Sequence, residues 1–192
     1  MKLYERPADR IEYEGRVYRL TLSFDRVFHV LELFTDDTLF PADKVRAAKR
    51  LLVRGKAPDG ILEPVFQLLF GDNRTDQHKA KTFDFAEDAG YIYAGFRQAY
   101  GIDLHKERGR LHWHEFIALF AGLPDDTRMA QIMAIRARPI PAPTKHNAEQ
   151  RAALIKQKQA VALKTAQTDK KQDIQDGLRA LADRLRAMAQ GS

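Results

Sequence analysis

The segment with the most suggestive chemistry is His112-Trp113-His114-Glu115, where two imidazoles and a carboxylate stand close together in the chain. Zinc accepts such ligands. The surrounding apolar spacing predicts a helix, however, and residues two apart on a helix point about 200° apart. A helical zinc pair is instead spaced i, i+4. We therefore expect no metal here, with His112 capping or packing at the helix start and His114 exposed on the opposite side.

A second candidate group is acidic and consists of Asp84, Glu87, Asp88 and Asp103. Neighbouring carboxylates can perform acid–base or metal chemistry. They are also favoured in the first turn of a helix, where the macrodipole stabilises negative charge. Asp84 with Glu87 three residues later forms a capping-box pattern. We therefore expect Asp84 to cap a helix rather than to catalyse a reaction.

Other recognisable catalytic and cofactor signatures are missing from the sequence. It contains no cysteine, no phosphate-binding glycine loop, no dinucleotide fingerprint and no serine nucleophile elbow. Without cysteine there is neither a disulfide framework nor a thiolate metal site. We expect a protein that is not an enzyme and that has no cofactor and no bound metal.

The elements that would position these residues are mostly helical. Residues 11–13 and 16–20 alternate in polarity around Glu14-Gly15, a pattern that predicts a β-hairpin. Helical periodicity follows almost everywhere. The predicted helices are 25–34 (after Ser23), 41–53, 59–70, 84–100 (ending at Gly101), 111–121, 125–135 and one or two helices in 147–189.

This pattern predicts a mainly α fold with a bundle-like helical body, a small N-terminal β-hairpin and a C-terminal helical extension. The apolar faces predict which side chains form the core. The central set is Phe85, Ile92, Phe96, Trp113, Phe116, Ile117 and Phe120. The predicted faces of the two helices after the hairpin are Val27, Leu31 and Phe34, then Val45, Ala48 and Leu52.

Composition and charge divide the chain of 192 residues unevenly. Residues 139–143, Pro-Ile-Pro-Ala-Pro, predict a stiff extended linker. We expect a body at 1–138 and a basic extension at 144–192, since most of the net charge of +6 lies after the linker. No apolar run approaches the roughly 20 residues of a membrane span. The beginning of the chain also lacks an apolar signal core, so we expect a protein of the cytoplasm.

The basic extension carries an apolar stripe with the spacing of a helix seam. Its members, four or three residues apart, are Ile174, Leu178, Leu181, Leu185 and Met188. Two heptads are too short to form a stable helix alone. The stripe is therefore expected to meet the body, a second copy of the chain or a partner protein. We take it as a candidate partner-binding site.

Several segments resemble a family of phage proteins found in long-tailed phages and prophages. The order and spacing agree over residues 1–163, and the block 83–136 is the most specific part. The matching segments are Gly15-Arg16-Val17-Tyr18, the run from Phe83 to Phe96, Tyr100 to Leu104, Leu111-His112-Trp113 with Phe116, and Leu123 to Thr127 with Ile132 and Arg136. His114 stands where many relatives have a second tryptophan, and residues 164–192 extend beyond the resemblance.

The resemblance implies a role in tail morphogenesis, as a tail assembly chaperone that binds the tape measure protein and also tail tube subunits. Genes of this family usually lie between those of the major tail protein and the tape measure protein. The implied location is the host cytoplasm during phage assembly. A helical chaperone of this kind can also form a homo-oligomer, and neither a membrane nor a nucleic acid is an expected partner.

Two alternatives remain open at this point. One is a structural tail protein that stays in the virion, which mass analysis of purified particles would detect. The other is a phage protein that binds nucleic acid through its basic tail, with an affinity that falls steeply with salt. A metal-dependent enzyme built on His112 and His114 would need stoichiometric metal in the purified protein.

Overall fold

A computed structural model describes residues 7–71 and 82–164 of the chain. Residues 7–71 and 107–118 belong to one compact unit, and residues 82–106 and 119–164 belong to a second. The mainly α fold with a small N-terminal hairpin is confirmed. None of the helices in these described ranges has both the length and the apolar character to cross a bilayer.

The first unit begins with the predicted hairpin. Strands β1 (Arg10–Tyr13) and β2 (Arg16–Arg19) pair antiparallel, with Tyr13 opposite Arg16. The two turn residues both have positive φ, 51° at Glu14 and 70° at Gly15. Positive φ at both residues of a two-residue turn matches the right-handed twist of the two strands that it connects.

Helices α1 (Phe24–Thr35) and α2 (Pro41–Leu52) form an antiparallel pair after the hairpin. Near the start of α1, Arg26 Nη1 donates to the carbonyl of Leu51 at the end of α2 (3.0 Å). At the other end, Lys44 Nζ of α2 donates to the carbonyl of Phe34 in α1 (3.3 Å). The predicted core face of α2 is confirmed, whereas α1 buries Phe24, Val27 and Val30 and leaves Leu31 and Phe34 half-buried.

A short 3-10 turn (Asp59–Ile61) leads into α3 (Leu62–Phe70). The start of α5 (Trp113–Ala121) completes this unit. An aromatic cluster forms its core, where Phe116 stacks on Phe24 (5.1 Å between ring centroids) and Trp113 meets Phe28 edge-on (5.6 Å). The Trp113 indole N–H donates to the carbonyl of Leu69 (3.2 Å), which satisfies the one polar atom of that buried ring.

The second unit contains α4 (Ala89–Tyr100), the end of α5, α6 (Arg128–Ala137) and α7 (Ala148–Ala160). Helix α4 ends at Gly101, whose φ of 67° is the predicted left-handed cap. Ile92 and Phe96 are buried, as predicted. Phe85 and Ile117 are only half-buried, so their assignment to the core is correct only in part.

Three predicted helix starts are too early. The segment before α4 folds as a turn at 85–88, so α4 begins at Ala89 and not at Asp84. Helix α5 begins at Trp113 because residue 112 lies in an extended bridge with Ser23. Helix α6 begins at Arg128, where Thr127 Oγ1 accepts the N–H of Ala130 (3.3 Å) as an N-cap.

The Pro-rich segment 139–143 has no regular secondary structure and is exposed. After it, the first part of the extension packs within the second unit through the buried side chains of Leu154 and Leu163. Lys158 Nζ of α7 also donates to the carbonyls of Arg136 (2.7 Å) and Arg138 (2.6 Å). Whether 1–138, 139–143 and 144–192 behave as separate domains stays a prediction.

Candidate protein-binding surface

The histidine pair at the start of α5 forms a helix cap. His112 Nδ1 accepts the backbone N–H of His114 (3.2 Å), and the Glu115 carboxylate accepts the N–H of His112 (3.1 Å). These reciprocal bonds satisfy two N–H groups that the helix end leaves open. The prediction that His112 caps the helix is therefore confirmed.

The expectation that the two imidazoles face opposite sides is wrong. Their ring centroids lie 5.2 Å apart, because His112 precedes the helix and its backbone is extended. His114 is half-buried rather than exposed, and its Nε2 lies 3.0 Å from the carbonyl of Leu68, which requires the Nε2–H tautomer. Within residues 7–71 and 82–164, no group of three or more potential ligands is arranged to hold a metal ion.

Burial of His112 lowers the pKa of its imidazole below the ordinary value, and the neighbouring His114 acts in the same direction. The backbone of Ala8 and the carboxylates of Glu115 and Asp9 oppose this shift but do not cancel it. A neutral ring suits its role, since Nδ1 must keep a free lone pair to accept the N–H of His114.

The acidic group is also engaged in structural contacts. Asp84 Oδ1 accepts the N–H groups of Ala86 (2.9 Å) and Glu87 (3.0 Å), so it closes the 85–88 turn and does not cap α4. The prediction that it caps that helix is wrong. The capping-box pattern nevertheless located a real local bond, because an Asp side chain can satisfy the same N–H groups in a turn.

Asp88 is the most buried of the acids, with 2% of its side chain exposed. It pairs with Arg136 through two bonds, Nη1 to Oδ2 (2.6 Å) and Nη2 to Oδ1 (3.0 Å). Arg136 also donates to the carbonyls of Val161 (2.6 Å) and Thr82 (3.1 Å). The pair therefore joins the turn before α4 to α6 and to the segment after α7, which is a structural function.

The remaining two acids have similar structural partners. Glu87 accepts the backbone N–H of Lys164 (2.7 Å). Asp103 Oδ1 accepts the N–H of His105 (3.1 Å) and the hydroxyl of Tyr93 (3.4 Å). All four acidic candidates thus hold turns and chain segments in place.

A groove along the α1–α2 pair is the best candidate for binding. We call it the α1–α2 groove, and its volume is about 630 Å³. Its floor is apolar and half-buried, formed by Leu33, Ala47 and Leu51. Its rim is polar and exposed, formed by His29 and by the charged side chains of Glu32, Asp36 and Arg50. An apolar floor with a charged rim is the general form of a site that receives an amphipathic helix.

The groove is formed by residues that lie beside the core-facing side of each helix. On α1, His29 and Leu33 are four residues apart beside the face that buries Val27 and Val30, and Asp36 follows the end of the helix. On α2, Ala47 and Leu51 are four residues apart beside the face that buries Ala48 and Leu52. Two helices that pack through one face leave their adjoining faces as a groove.

The rim is electrostatically uneven. Its acidic residues, Glu32 and Asp36, come from the α1 side, and its arginine, Arg50, comes from the α2 side. The hydroxyl and backbone N–H of Thr38 lower the pKa of the Asp36 carboxyl by hydrogen bonding to it, with a further contribution from the charge of Lys44. Asp36 therefore stays negatively charged at neutral pH.

An exposed aromatic ring lies in the loop between the same two helices. Phe40 immediately precedes α2 and is 76% exposed, which makes it the most exposed large apolar side chain among the described residues. Exposed aromatic residues often anchor protein interfaces because they bury a large area with few rotatable bonds.

The α1–α2 groove was not among the sites predicted from sequence. Leu33, Ala47 and Leu51 were left over once a core face had been assigned to each helix, and such unused apolar positions were the available signal. The predicted stripe of Ile174, Leu178, Leu181, Leu185 and Met188 lies outside the described residues, so it stays a prediction.

The comparison with protein families matches residues 5–163 to the family described as Bacteriophage Gp15 protein. The chain belongs to this family. No curated protein and no solved structure matches the chain. The resemblance to a phage family is therefore confirmed at the level of the family.

The residues matched to the Gp15 family include those that form the main features of both units. The α1–α2 groove, the His112 cap and the Asp88–Arg136 pair all lie within residues 5–163. The apolar stripe at 174–188 lies outside the matched range. Membership in a bacteriophage family suggests a role in phage structure or morphogenesis.

Proposed function

We propose that this Gp15-family protein is a tail assembly chaperone that holds the tape measure protein before tail tubes form around it. The observation that carries the proposal is the α1–α2 groove, with its apolar floor and charged rim. The partner is an amphipathic helix whose apolar stripe covers Leu33, Ala47 and Leu51. Tail tube subunits are a second class of partner in the same assembly.

In this function the protein binds its client and does not catalyse a reaction. The residues whose types first suggested chemistry, the two histidines and the four acids, form caps, turns and an ion pair. A chaperone works in the host cytoplasm and releases its client when the tail polymerises. Self-association is compatible with this role, and neither a membrane nor a nucleic acid takes part in it.

A substitution in the floor of the groove tests the proposal. Ala47→Glu places a charged side chain where the partner helix should lie, and alanine and glutamate have similar helix propensities. Burying a leucine fully stabilises a complex by about 1.5–3 kcal/mol, so loss of the floor contacts should abolish capture of the co-expressed tape measure protein. Capture is measured by affinity purification and quantitative mass spectrometry.

Ala42→Glu is the matched control. It makes the same substitution in the same helix at an exposed position that does not line the groove. It should retain full capture, and both variants should keep the unfolding midpoint of the parent. Equal capture by the Ala47→Glu and Ala42→Glu proteins would remove the groove from the proposal.

Purified phage particles distinguish a chaperone from a structural tail protein. A chaperone should be scarce in mature particles and abundant in assembly intermediates. A fixed copy number in every mature tail would instead establish the protein as a component of the virion.

A further inference from the structure

A basic pocket lies next to the α1–α2 groove, at the end of α2. Its volume is about 380 Å³, and it is lined by Arg46, Lys49, Arg50, Gly55, Lys56 and Ala57. All four ionisable side chains in this lining are cationic. The pocket and the groove share Arg50, so the two adjoin at this side chain.

Two of these four cations already have carboxylate partners. Arg46 pairs with Asp43 (3.1 Å), and Lys49 pairs with Asp59. Arg50 and Lys56 are exposed and make no ion pair or side-chain hydrogen bond within residues 7–71 and 82–164. Cations near the end of a helix stabilise its dipole, which accounts for Lys49 and Arg50. Lys56 lies beyond the helix and is not explained in this way.

The charges around the groove and the adjoining pocket are arranged by side. The α1 rim carries Glu32 and Asp36, whereas the α2 side carries Arg50 and Lys56. A partner helix with one charged flank of each sign matches both sides, with its acidic flank over α2. A nucleic acid fits less well, because its phosphates would meet the two carboxylates of the adjoining rim.

We propose that the basic pocket is a carboxylate-binding subsite that receives acidic side chains from one flank of the partner helix in the α1–α2 groove. This inference rests on the proposed function and specifies its client. The client helix has an apolar stripe, an acidic flank on the α2 side and a neutral or basic flank on the α1 side. The opposed charges fix the rotation of the helix about its axis, since like charges facing each other disfavour the reverse arrangement.

A charge reversal tests the subsite in the full-length protein. The variant Arg50→Glu/Lys56→Glu should bind a purified tape measure protein from the same phage about tenfold more weakly than the parent at about 0.05 M salt. The difference should shrink at about 0.5 M salt, where exposed charges are screened. The dissociation constant is measured by titration calorimetry, with Lys156→Glu as a control at an exposed position of α7.

A compensating change on the client completes the test. Tape measure variants in which clustered Glu and Asp residues are replaced by Lys should bind the double variant better than they bind the parent. If the parent binds the client and the double variant binds it equally well, the subsite is wrong and the proposed function stands. If the parent does not bind the client at all, the proposed function fails and the subsite fails with it.

A third measurement separates carboxylates from phosphates. The parent and the double variant are titrated with single-stranded and double-stranded DNA oligonucleotides at about 0.05 M salt. Both proteins should bind DNA weakly, and the double variant more weakly because each of its substitutions replaces a positive charge with a negative one. DNA binding by the parent that is as tight as its binding of the tape measure protein, and that the double variant loses, would identify a phosphate site and overturn the proposal.

Discussion

The buried pair Asp88–Arg136 shows how a residue with catalytic chemistry can serve a structural purpose. Both side chains are almost inaccessible, with 2% of Asp88 and 10% of Arg136 exposed. Asp88 also accepts the N–H of Asp84 (2.9 Å), so its charge is compensated from two directions. Removing one partner from such a pair leaves the other charge buried without compensation.

Arg136→Met should therefore lower the free energy of unfolding by about 3–5 kcal/mol. The double variant Asp88→Leu/Arg136→Met should recover part of this loss, because it leaves no unpaired charge. Urea unfolding measures both. Arg46→Met is the matched control, since its partner Asp43 is exposed and such pairs contribute about 1 kcal/mol or less. Similar losses for Arg136→Met and Arg46→Met would contradict the structural function of the buried pair.

The buried His112 imidazole makes the stability of the fold depend on pH. Its lowered pKa means that the unfolded chain binds a proton more readily than the folded chain does. The free energy of unfolding should therefore have its full value above about pH 6.5, the ordinary pKa of the imidazole in the unfolded chain. The free energy of unfolding should fall as the pH drops from about 6.5 towards the lower pKa that His112 has in the folded protein.

The variant His112→Asn should reduce this pH dependence, because asparagine can still accept the N–H of His114 but does not titrate. Thermal unfolding between neutral and mildly acidic pH measures the slope of stability. His146→Asn, at an exposed position after the Pro-rich segment, is the control and should leave the slope unchanged. An identical slope in the parent and in His112→Asn would show that another group carries the dependence.

Among the helices, α4 was predicted with two correct core residues and the wrong beginning. Periodicity identified Ile92 and Phe96, and both are buried. The turn at 85–88 was not foreseen, because the carboxylate of Asp88 that helps to close it also pairs with Arg136, a residue 48 positions away. A distant ion pair has no signature in the helical periodicity of a short segment.

Phe96→Ala should lower the free energy of unfolding by about 3–5 kcal/mol, because the ring is fully buried and meets Tyr100 edge-on (5.8 Å). Chemical denaturation gives the value. Tyr91→Ala on the same helix removes a side chain that is 44% exposed and should cost far less. A loss below about 1 kcal/mol for Phe96→Ala would contradict the packing of α4.

At the scale of the whole molecule, the predicted C-terminal stripe and the α1–α2 groove are two candidate surfaces for partner binding. The variant Leu181→Asp/Leu185→Asp should weaken self-association or capture of the tape measure protein. It should leave the unfolding midpoint nearly unchanged if the stripe serves a partner. Sedimentation and co-purification measure the first effect, and thermal unfolding measures the second. Unfolding of the body in this variant would place the stripe in the intramolecular core.

Features that depend on near neighbours could be predicted from the amino-acid sequence. Alternation around Glu14-Gly15 specified the hairpin, apolar periodicity specified the core face of α2 and two core residues of α4, and Gly101 specified a helix end. The resemblance to a phage family over residues 1–163, most specific in the block 83–136, is confirmed at the level of the family by the match over residues 5–163.

The contacts between distant segments became known from the folded chain alone. The α1–α2 groove depends on which faces of two helices remain uncovered, and periodicity within one helix cannot show this. The pairing of Asp88 with Arg136 and the proximity of His112 to His114 depend in the same way on the path of the backbone. A side chain's type limits the bonds it can make, but its use is fixed by the partners that the fold brings within a few ångströms.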